Sequence, residues 1–317
     1  DAGSTTAVQA GGTSEHYFVT SPTVGSTTPF RVWVVGDSGN GSPDQAQVRD
    51  AMVAYTGANR PNLMLHVGDI AYTSGTEQEF TDFHFGMYPD VFRHTVQWPT
   101  LGNHEGASTT SGQPGTSTGP YYNAFVLPTA AEAGGTASGT EAYYSFDYGN
   151  VHFISLNAYQ VSRSATGPMA VWLQNDLAAT NAQWVVAFWH HPPYSHGTHN
   201  SDTETELREM RENLLPILEA GGVDLVLCGR SHDYERSYLI DGTYSTPTPN
   251  FATLQSQGHI LDDGDGKPTG TGAYQKGAGR NAHQGAVYVV AGHGGAGTGG
   301  TLDNPVMYFS ETTHGSC

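Results

Sequence analysis

Side chains that could bind a metal ion or a phosphate group recur where apolar segments of the chain end. The five segment ends read "GDSG", "GDIAY", "GNHE", "WHHPPY" and "GRSH". Their polar residues are Asp37, Asp69, Tyr72, Asn103, His104, His190, His191, Arg230 and His232. Each motif alone favours a structural turn, because Gly-Asp pairs and single histidines are common in loops. Five such endings in one chain indicate a shared site, provided that the fold brings the ends together.

The donor types define the chemistry available to such a site. Carboxylate, phenolate, amide oxygen and imidazole donors suit iron, manganese or zinc rather than a thiolate-bound metal. Two such cations about 3.5 to 4 Å apart clamp a phosphate and generate hydroxide for in-line attack. An anionic substrate needs such a positive centre here, because 30 acidic residues against 12 basic ones give a formal net charge of -18. That charge argues against general binding of nucleic acids or anionic membranes.

The segments before these motifs have the composition of buried strands. "FRVWVV" and "NLMLHV" flank a helical segment in which Ser42 is the predicted N-cap, Pro43 the first helical residue and Gly57 the stop. Residues 31–69 therefore predict a βαβ unit. Further strands are expected at "QWVVAFW", "VDLVLC" and "GAVYVVAG". Strands that alternate with helices predict an α/β fold with its site at the carboxyl ends of the strands.

Other segments complete the expected layout. Gly149 and Asn150 predict the turn of a β-hairpin. Residues 238–282 read mostly as loop, and the chain is expected to end raggedly after the strand in "GAVYVVAG". Residues 202–222 predict one capped helix. Its expected buried face consists of Leu207, Met210, Leu214, Leu215 and Leu218.

The order and spacing of the motifs over roughly residues 30–310 resemble the calcineurin-like metallophosphoesterases, and within them the purple acid phosphatase branch. The resemblance implies a four-layer α/β/β/α sandwich with two central mixed sheets. Calcineurin-type phosphatases usually carry Asp-x-His at the first motif, whereas "GDSG" has no histidine. The purple branch uses a tyrosine of the second motif instead, and Tyr72 stands at that position.

The resemblance implies a ligand set for a first metal, typically ferric iron. Asp37, Tyr72 and His232 would bind this ion, and charge transfer with the tyrosinate would colour the protein. Asp69 would bridge this ion to a second one.

The second ion, expected to be Zn, Mn or Fe(II), would take Asn103 and His190 as further ligands. His190 is preferred over His191 because the family pattern places the ligand two residues before Pro192. The family has the motif Gly-His-x-His at the end of a later strand, and its first histidine binds the second metal. This chain has Arg230 at the position of that histidine. The second site therefore has three protein donors beside a fixed positive charge.

Several outcomes of this substitution stay open. The second metal binds weakly or not at all, which we favour; or the guanidinium holds phosphate by paired hydrogen bonds at a mononuclear site; or a nearby histidine replaces the missing ligand. Arg230 could also swing away to pair with an acidic neighbour such as Asp233 or Glu235.

Two further histidines have implied roles in catalysis. His104 matches a histidine that contacts the substrate phosphate. His199, in "HGTHNSD", matches by position one that protonates the leaving group. A plain loop histidine is an equally good interpretation of His199.

The sequence thus predicts a phosphomonoesterase in which metal-bound hydroxide attacks small-molecule phosphate esters. The alternatives are a phosphodiesterase or nucleotidase with the same centre, or a degenerate metal- or phosphate-binding protein. Residues 1–29 are expected to be a linker or edge segment and residues 30–317 the catalytic domain. The start without Met, together with an acidic surface, favours a secreted or periplasmic protein. Cys228 and Cys317 are expected to be free thiols.

Overall fold

The computed structural model of the chain describes residues 17, 19–111, 115–270, 272–313 and 315. The strands in chain order are β1 Val32–Val35, β2 Leu63–His66, β3 Val96–Pro99, β4 Tyr144–Tyr148, β5 Val151–Ser155, β6 Trp184–Trp189, β7 Leu225–Cys228, β8 Tyr234–Ser237, β9 Leu239–Ile240, β10 Ile260–Asp262, β11 Val287–Ala291 and β12 Met307–Glu311. The α-helices are α1 Pro43–Thr56, α2 Glu77–Glu79, α3 Pro89–Phe92, α4 Pro120–Ala124, α5 Pro168–Ala179, α6 Thr205–Glu209, α7 Leu215–Ala220 and α8 Phe251–Ser256. Wider π-helical turns follow α2 and α6, at Phe80–Phe85 and Met210–Leu214. None of the helices in this described part has the length and apolarity needed to span a membrane.

The strands form two main sheets and one two-stranded ribbon within the described residues. The smaller sheet has the order β1-β2-β3 and is parallel throughout. The larger sheet has the order β12-β8-β11-β7-β6-β5-β4 and is mixed. Its central strands β5, β6, β7 and β11 run parallel to one another. The predicted α/β class with two main sheets is therefore confirmed, and the mixed strand directions are confined to the larger sheet.

Three hydrophobic clusters show how the layers stack. Met52 of α1 packs with Met64 on the outer face of the smaller sheet. Leu65 of the same sheet and Phe188 of the larger sheet share a second cluster, which lies between the sheets. Leu173 of α5 belongs to a third cluster on the far face of the larger sheet. The order is therefore helix, sheet, sheet, helix.

The residues predicted to begin and end α1 and to form the turn of the first hairpin do so. The Ser42 side chain accepts a hydrogen bond from the backbone N–H of Gln45, and Gly57 ends the helix. β4 and β5 pair antiparallel across Gly149, whose φ of 58° lies in the left-handed region that glycine favours. The βαβ unit of β1, α1 and β2 is parallel, as predicted.

The prediction of one continuous helix over residues 202–222 is wrong. The segment consists of α6, a π-helical turn and α7. Pro216 lacks the N–H that an α-helix needs at this point, and its ring crowds the carbonyl four residues earlier, so the chain widens before it. The five apolar residues assigned to its inner face are all fully buried.

The C-terminal third is more regular than expected. Residues 238–282 contain β9, α8 and β10, and the supposed ragged end contains β12. Residues 19–31 form neither helix nor strand. The proposed boundary after residue 29 stays a prediction, and residues 1–16 lie outside the described residues. Cys228 is a buried free thiol, as expected, whereas Cys317 lies outside the described part.

Candidate metal centre

The loops that follow five parallel strands meet at one edge of the two sheets. Strands β1, β2 and β3 of the smaller sheet lead into the loops of Asp37, Asp69 and Asn103. Strands β6 and β7 of the larger sheet lead into His190 and Arg230. The predicted site is therefore built from both sheets, and every residue that the sequence assigned to it lies in this region.

Strained backbone marks three of these loops. Asp37, Asp69 and Arg230 have φ values of 54°, 53° and 68°. Such left-handed conformations are uncommon for residues other than glycine and cluster at functional sites. The residue before Asp69 is Gly68, and a Cβ there would lie 2.6 Å from the ring of His190. Glycine thus lets the second loop reach the histidine of the other sheet.

The Tyr72 hydroxyl lies between two buried carboxylates. Its oxygen is 3.2 Å from Oδ1 of Asp37 and 3.1 Å from Oδ2 of Asp69. Nε2 of His232 lies 3.4 Å from the same Asp37 oxygen. Burial, followed by the charges of Asp37 and Asp69, raises the pKa of Tyr72 well above 10. A neighbouring cation reverses this effect, because it favours the phenolate.

His190 and His232 both point Nε2 towards these carboxylates and use Nδ1 to bind a backbone carbonyl. Nδ1 of His190 donates to the Val67 carbonyl over 2.9 Å, and Nδ1 of His232 donates to the Gly297 carbonyl over 2.8 Å. Nε2 of His190 lies 3.3 Å from Oδ2 of Asp69. A backbone acceptor on Nδ1 fixes the ring and leaves Nε2 for a ligand, as in many metal sites.

The negative charge of the cluster also acts on His190. Burial alone would lower the pKa of this imidazole, but Asp69 and Asp37 raise it to about 9. The two buried carboxylates of Asp37 and Asp69 therefore favour a positive charge beside them, either a proton or a metal ion.

The spacing of the donor atoms fits a metal ion. Donors that bind an ion at 2.0 to 2.2 Å lie about 3 Å from one another. Ligand atoms of Asp37, Asp69 and His190, all buried, lie within 4.8 Å of one another. Tyr72 and His232 add an oxygen and a nitrogen at the distances given above. These residues are thus suited to a hard or borderline cation, and their individual roles as ligands remain predictions.

The neighbour of His190 occupies a different environment. The His191 ring is fully buried, and it stacks on Tyr159 with centroids 5.7 Å apart and an angle of 5°. Burial, followed by the charges of His190 and Arg230, lowers the pKa of His191 well below 6.5. His190 thus faces the carboxylates and His191 faces Tyr159, and the choice of His190 as the ligand stays a prediction.

Arg230 stays in the site rather than swinging away. Its Nη1 donates to Oδ1 of Asn103 over 2.7 Å, and its backbone N–H donates to Oδ2 of Asp37 over 2.8 Å. Nη2 lies 3.8 Å from a carboxylate oxygen of Glu204. The guanidinium is therefore a fixed positive charge beside the donor cluster.

Two more histidines border the cluster. Nδ1 of His104 donates to the Thr73 carbonyl over 2.7 Å, and its ring packs on Tyr72 with centroids 4.2 Å apart. Nδ1 of His199 lies 2.9 Å from both carboxylate oxygens of Glu204. Burial and then the charge of Arg230 lower the pKa of His199, against the opposing effect of Glu204.

Sequence reasoning missed two acidic residues that organise the site. The buried Glu105 carboxylate accepts backbone N–H groups of Asp69, Ile70, Ala71 and Gly102, and so ties the second and third loops together. Glu105 could have been identified from the sequence, because it is the last residue of the motif "GNHE". Glu204 lies in a polar stretch with no motif, and only its contacts with His199 and Arg230 reveal it.

The carboxylates, imidazoles and tyrosine at the strand ends of this layered α/β fold form a candidate metal-binding group. Residues 30–234 match the family model of the calcineurin-like phosphoesterases, and the chain belongs to that family. Membership supports phosphoester hydrolysis as the general reaction.

Several proteins similar to this chain are purple acid phosphatases. Purple acid phosphatase 23 of Arabidopsis thaliana is 32% identical over 263 residues, which cover 73% of this chain and 53% of that protein. Probable inactive purple acid phosphatase 9 of the same plant is 28% identical, over 67% of this chain and 35% of that protein. The chain thus spans about half or less of the length of these relatives. A purple acid phosphatase from yellow lupin seeds has a similar fold, with a TM-score of 0.67 at 19% identity, covering 94% of this chain and 50% of that one.

Proposed function

We propose that this chain is a metal-dependent phosphomonoesterase of the purple acid phosphatase type that acts on small phosphate esters. The observation that carries the proposal is the convergence of Asp37, Asp69 and Tyr72 oxygens with Nε2 of His232. His190 closes the cluster from the opposite sheet. This donor set supports ferric iron beside Tyr72. A second ion, Zn, Mn or Fe(II), would have only Asp69, Asn103 and His190 as ligands, beside the charge of Arg230.

A bound metal ion supplies Lewis-acid polarisation of a phosphoryl oxygen and lowers the pKa of water. The protein residues around it perform the remaining tasks. Asp37 and Asp69 hold the negative charge that retains the ion, and both are buried from competing water. Glu105 would fix the Asp69 loop through three backbone hydrogen bonds and tie it to Gly102 through a fourth.

We propose that Arg230 and His104 bind the phosphate oxygens. The guanidinium of Arg230 is anchored by Asn103, and its Nε is a buried donor that has no partner among the described residues. His104 is anchored through Nδ1, which leaves Nε2 for an oxygen of the substrate. These donors would offset the charge of an anionic ester in a protein whose net charge is -18.

His199 is proposed to protonate the leaving alcohol. Glu204 accepts its Nδ1–H and thereby fixes the ring and raises its basicity. A general acid must be protonated, so the lowered pKa of His199 favours turnover at acidic pH. The placement outside the cytoplasm also remains a proposal, supported by the acidic composition alone.

The proposal is tested by comparing hydrolysis of p-nitrophenyl phosphate with that of bis-p-nitrophenyl phosphate by the metal-loaded protein. A phosphomonoesterase gives the higher kcat/KM with the monoester. A preference for the bis-ester would instead favour a phosphodiesterase with the same centre. Binding of phosphate without turnover of either ester would favour the degenerate binding protein, which the Arg230–Asn103 contact also permits.

A further inference from the structure

Two oxygens flank the ring nitrogen Nε2 of His190 on one side of the centre. Oδ1 of Asn103 lies 3.0 Å from Nε2 of His190, which in turn lies 3.3 Å from Oδ2 of Asp69. These two oxygens and one nitrogen could supply three of the ligands of a cation. The fourth side is closed by Nη1 of Arg230, 2.7 Å from the Asn103 oxygen.

The guanidinium is held there by more than one contact. The Arg230 backbone adopts a φ of 68° and donates its N–H to Asp37, which fixes where the side chain starts. Glu204 lies 3.8 Å from Nη2 at the outer end of the side chain. The side chain is only 22% exposed. Moving it aside would therefore disrupt the contacts with Asn103 and Glu204.

A divalent cation at this position would meet an adjacent permanent positive charge. Arginine keeps its proton at any ordinary pH, so its repulsion cannot be relieved by titration. The Asn103 oxygen would also have to exchange a charge-assisted hydrogen bond for a metal bond. On the other side of the cluster, the Tyr72 hydroxyl and Nε2 of His232 both lie beside the Asp37 carboxylate.

We propose that the guanidinium of Arg230 takes the place of a second cation, so that the centre binds one metal ion per chain. Asp37, Asp69, Tyr72 and His232 would hold this ion, with His190 beside them. Arg230 supplies the second fixed positive charge for an anionic ligand. This inference deepens the proposed function, although its test does not depend on catalysis.

Metal stoichiometry tests the inference directly. The metal-free protein is loaded with excess Zn²⁺, separated from loosely bound ions and analysed by elemental mass spectrometry. We expect one ion per chain for the wild type and two for Arg230→His, which exchanges the charge for an imidazole ligand. Arg230→Asn is the second variant, because asparagine tolerates positive φ and offers an amide oxygen; it should also bind two. Arg208→His is the matched control and should bind one, since Arg208 lies on α6 with its side chain 37% exposed.

Two ions per chain in both the wild type and His283→Ala, which disrupts the separate group of Glu219, Asp241 and His283, would overturn the inference. One ion in both Arg230 variants would also overturn it, because something other than the guanidinium would then limit the site. These outcomes are independent of the proposed reaction: a protein that binds one ion and hydrolyses no ester contradicts the proposed function but leaves the stoichiometry intact.

Discussion

Oδ2 of Asp69 lies 3.3 Å from Nε2 of His190, and the two residues follow strands of different sheets. The donor cluster therefore spans the interface between the two sheets, where Leu65 and Phe188 also pack together. A cation held by both residues would link the sheets as well as bind substrate. Function and stability of this chain should respond together when the centre is changed.

Replacement of Asp69 is expected to have the largest effect. Asp69→Asn removes one charge and one oxygen from the cluster, and loss of a metal ligand should reduce kcat/KM for p-nitrophenyl phosphate by at least about 100-fold. Metal content should fall in parallel. The matched control is Asp82→Asn, because the exposed Asp82 lies away from the cluster. Equal losses in both variants would contradict the role of Asp69.

Metal binding should raise the melting temperature. A ligand at about 100 times its Kd stabilises the folded state by roughly 2.7 kcal/mol, which corresponds to an increase of roughly 5 °C for a chain of this size. Calorimetry of metal-loaded and metal-free protein measures the difference. Asp69→Asn should show little or no increase, and an equal increase in this variant would mean that the ion binds elsewhere.

The high-pH limb of the pH-rate profile should depend on two charges beside His199, the proposed general acid. Arg230, Glu204 and His232 surround this imidazole, and Arg230 contributes to its lowered pKa while Glu204 opposes it. Rate falls where His199 loses its proton, so Arg230→Gln should move the descending limb of the pH-rate profile to higher pH. Glu204→Gln should move it to lower pH. Shifts in the same direction in both variants would contradict the assignment of His199 as the acid.

A buried charge cluster away from the site predicts a different pH dependence. His152 contacts Asp147 over 2.7 Å and Asp176 over 2.8 Å. Burial alone would lower the pKa of His152, but the hydrogen bonds to these carboxylates raise it to about 9. The ordinary pKa of histidine is about 6.5, so this contribution to the free energy of unfolding is complete below that pH and is lost as pH rises through 9.

Denaturant unfolding at pH 6 and pH 9.5 measures this contribution. The wild type should lose stability between the two values. Asp147→Asn should lose less, because its His152 retains only one carboxylate partner. An unchanged difference between the two pH values would show that other groups cause the pH dependence.

The sequence was enough to place these polar residues together, because each one is marked by a local motif at the end of a strand. Each Gly-Asp or Gly-Arg step follows a short apolar strand, and parallel strands place their carboxyl ends together. The left-handed φ of Asp37, Asp69 and Arg230 is a consequence of these tight turns. The roles of the residues at the turns still rest on the resemblance and on the experiments above.

Features that depend on distant contacts were not predictable in the same way. β8 reads "YERS", and its buried positions are Glu235 and Ser237, so the usual apolar alternation is absent. β12 is an edge strand with exposed aromatic residues and shows no burial pattern either. Glu204 gains its importance from Arg230, which is 26 positions away in the chain and adjacent only after folding.

The most direct test of the account is the metal dependence of p-nitrophenyl phosphate hydrolysis by the wild-type chain at mildly acidic pH. Metal-loaded protein should hydrolyse the ester, removal of the metal by a chelator should abolish turnover, and reloading should restore it. Turnover that persists without metal, or a loaded protein no faster than its Asp69→Asn variant, would contradict the assignment of this centre as a metal-dependent phosphoesterase.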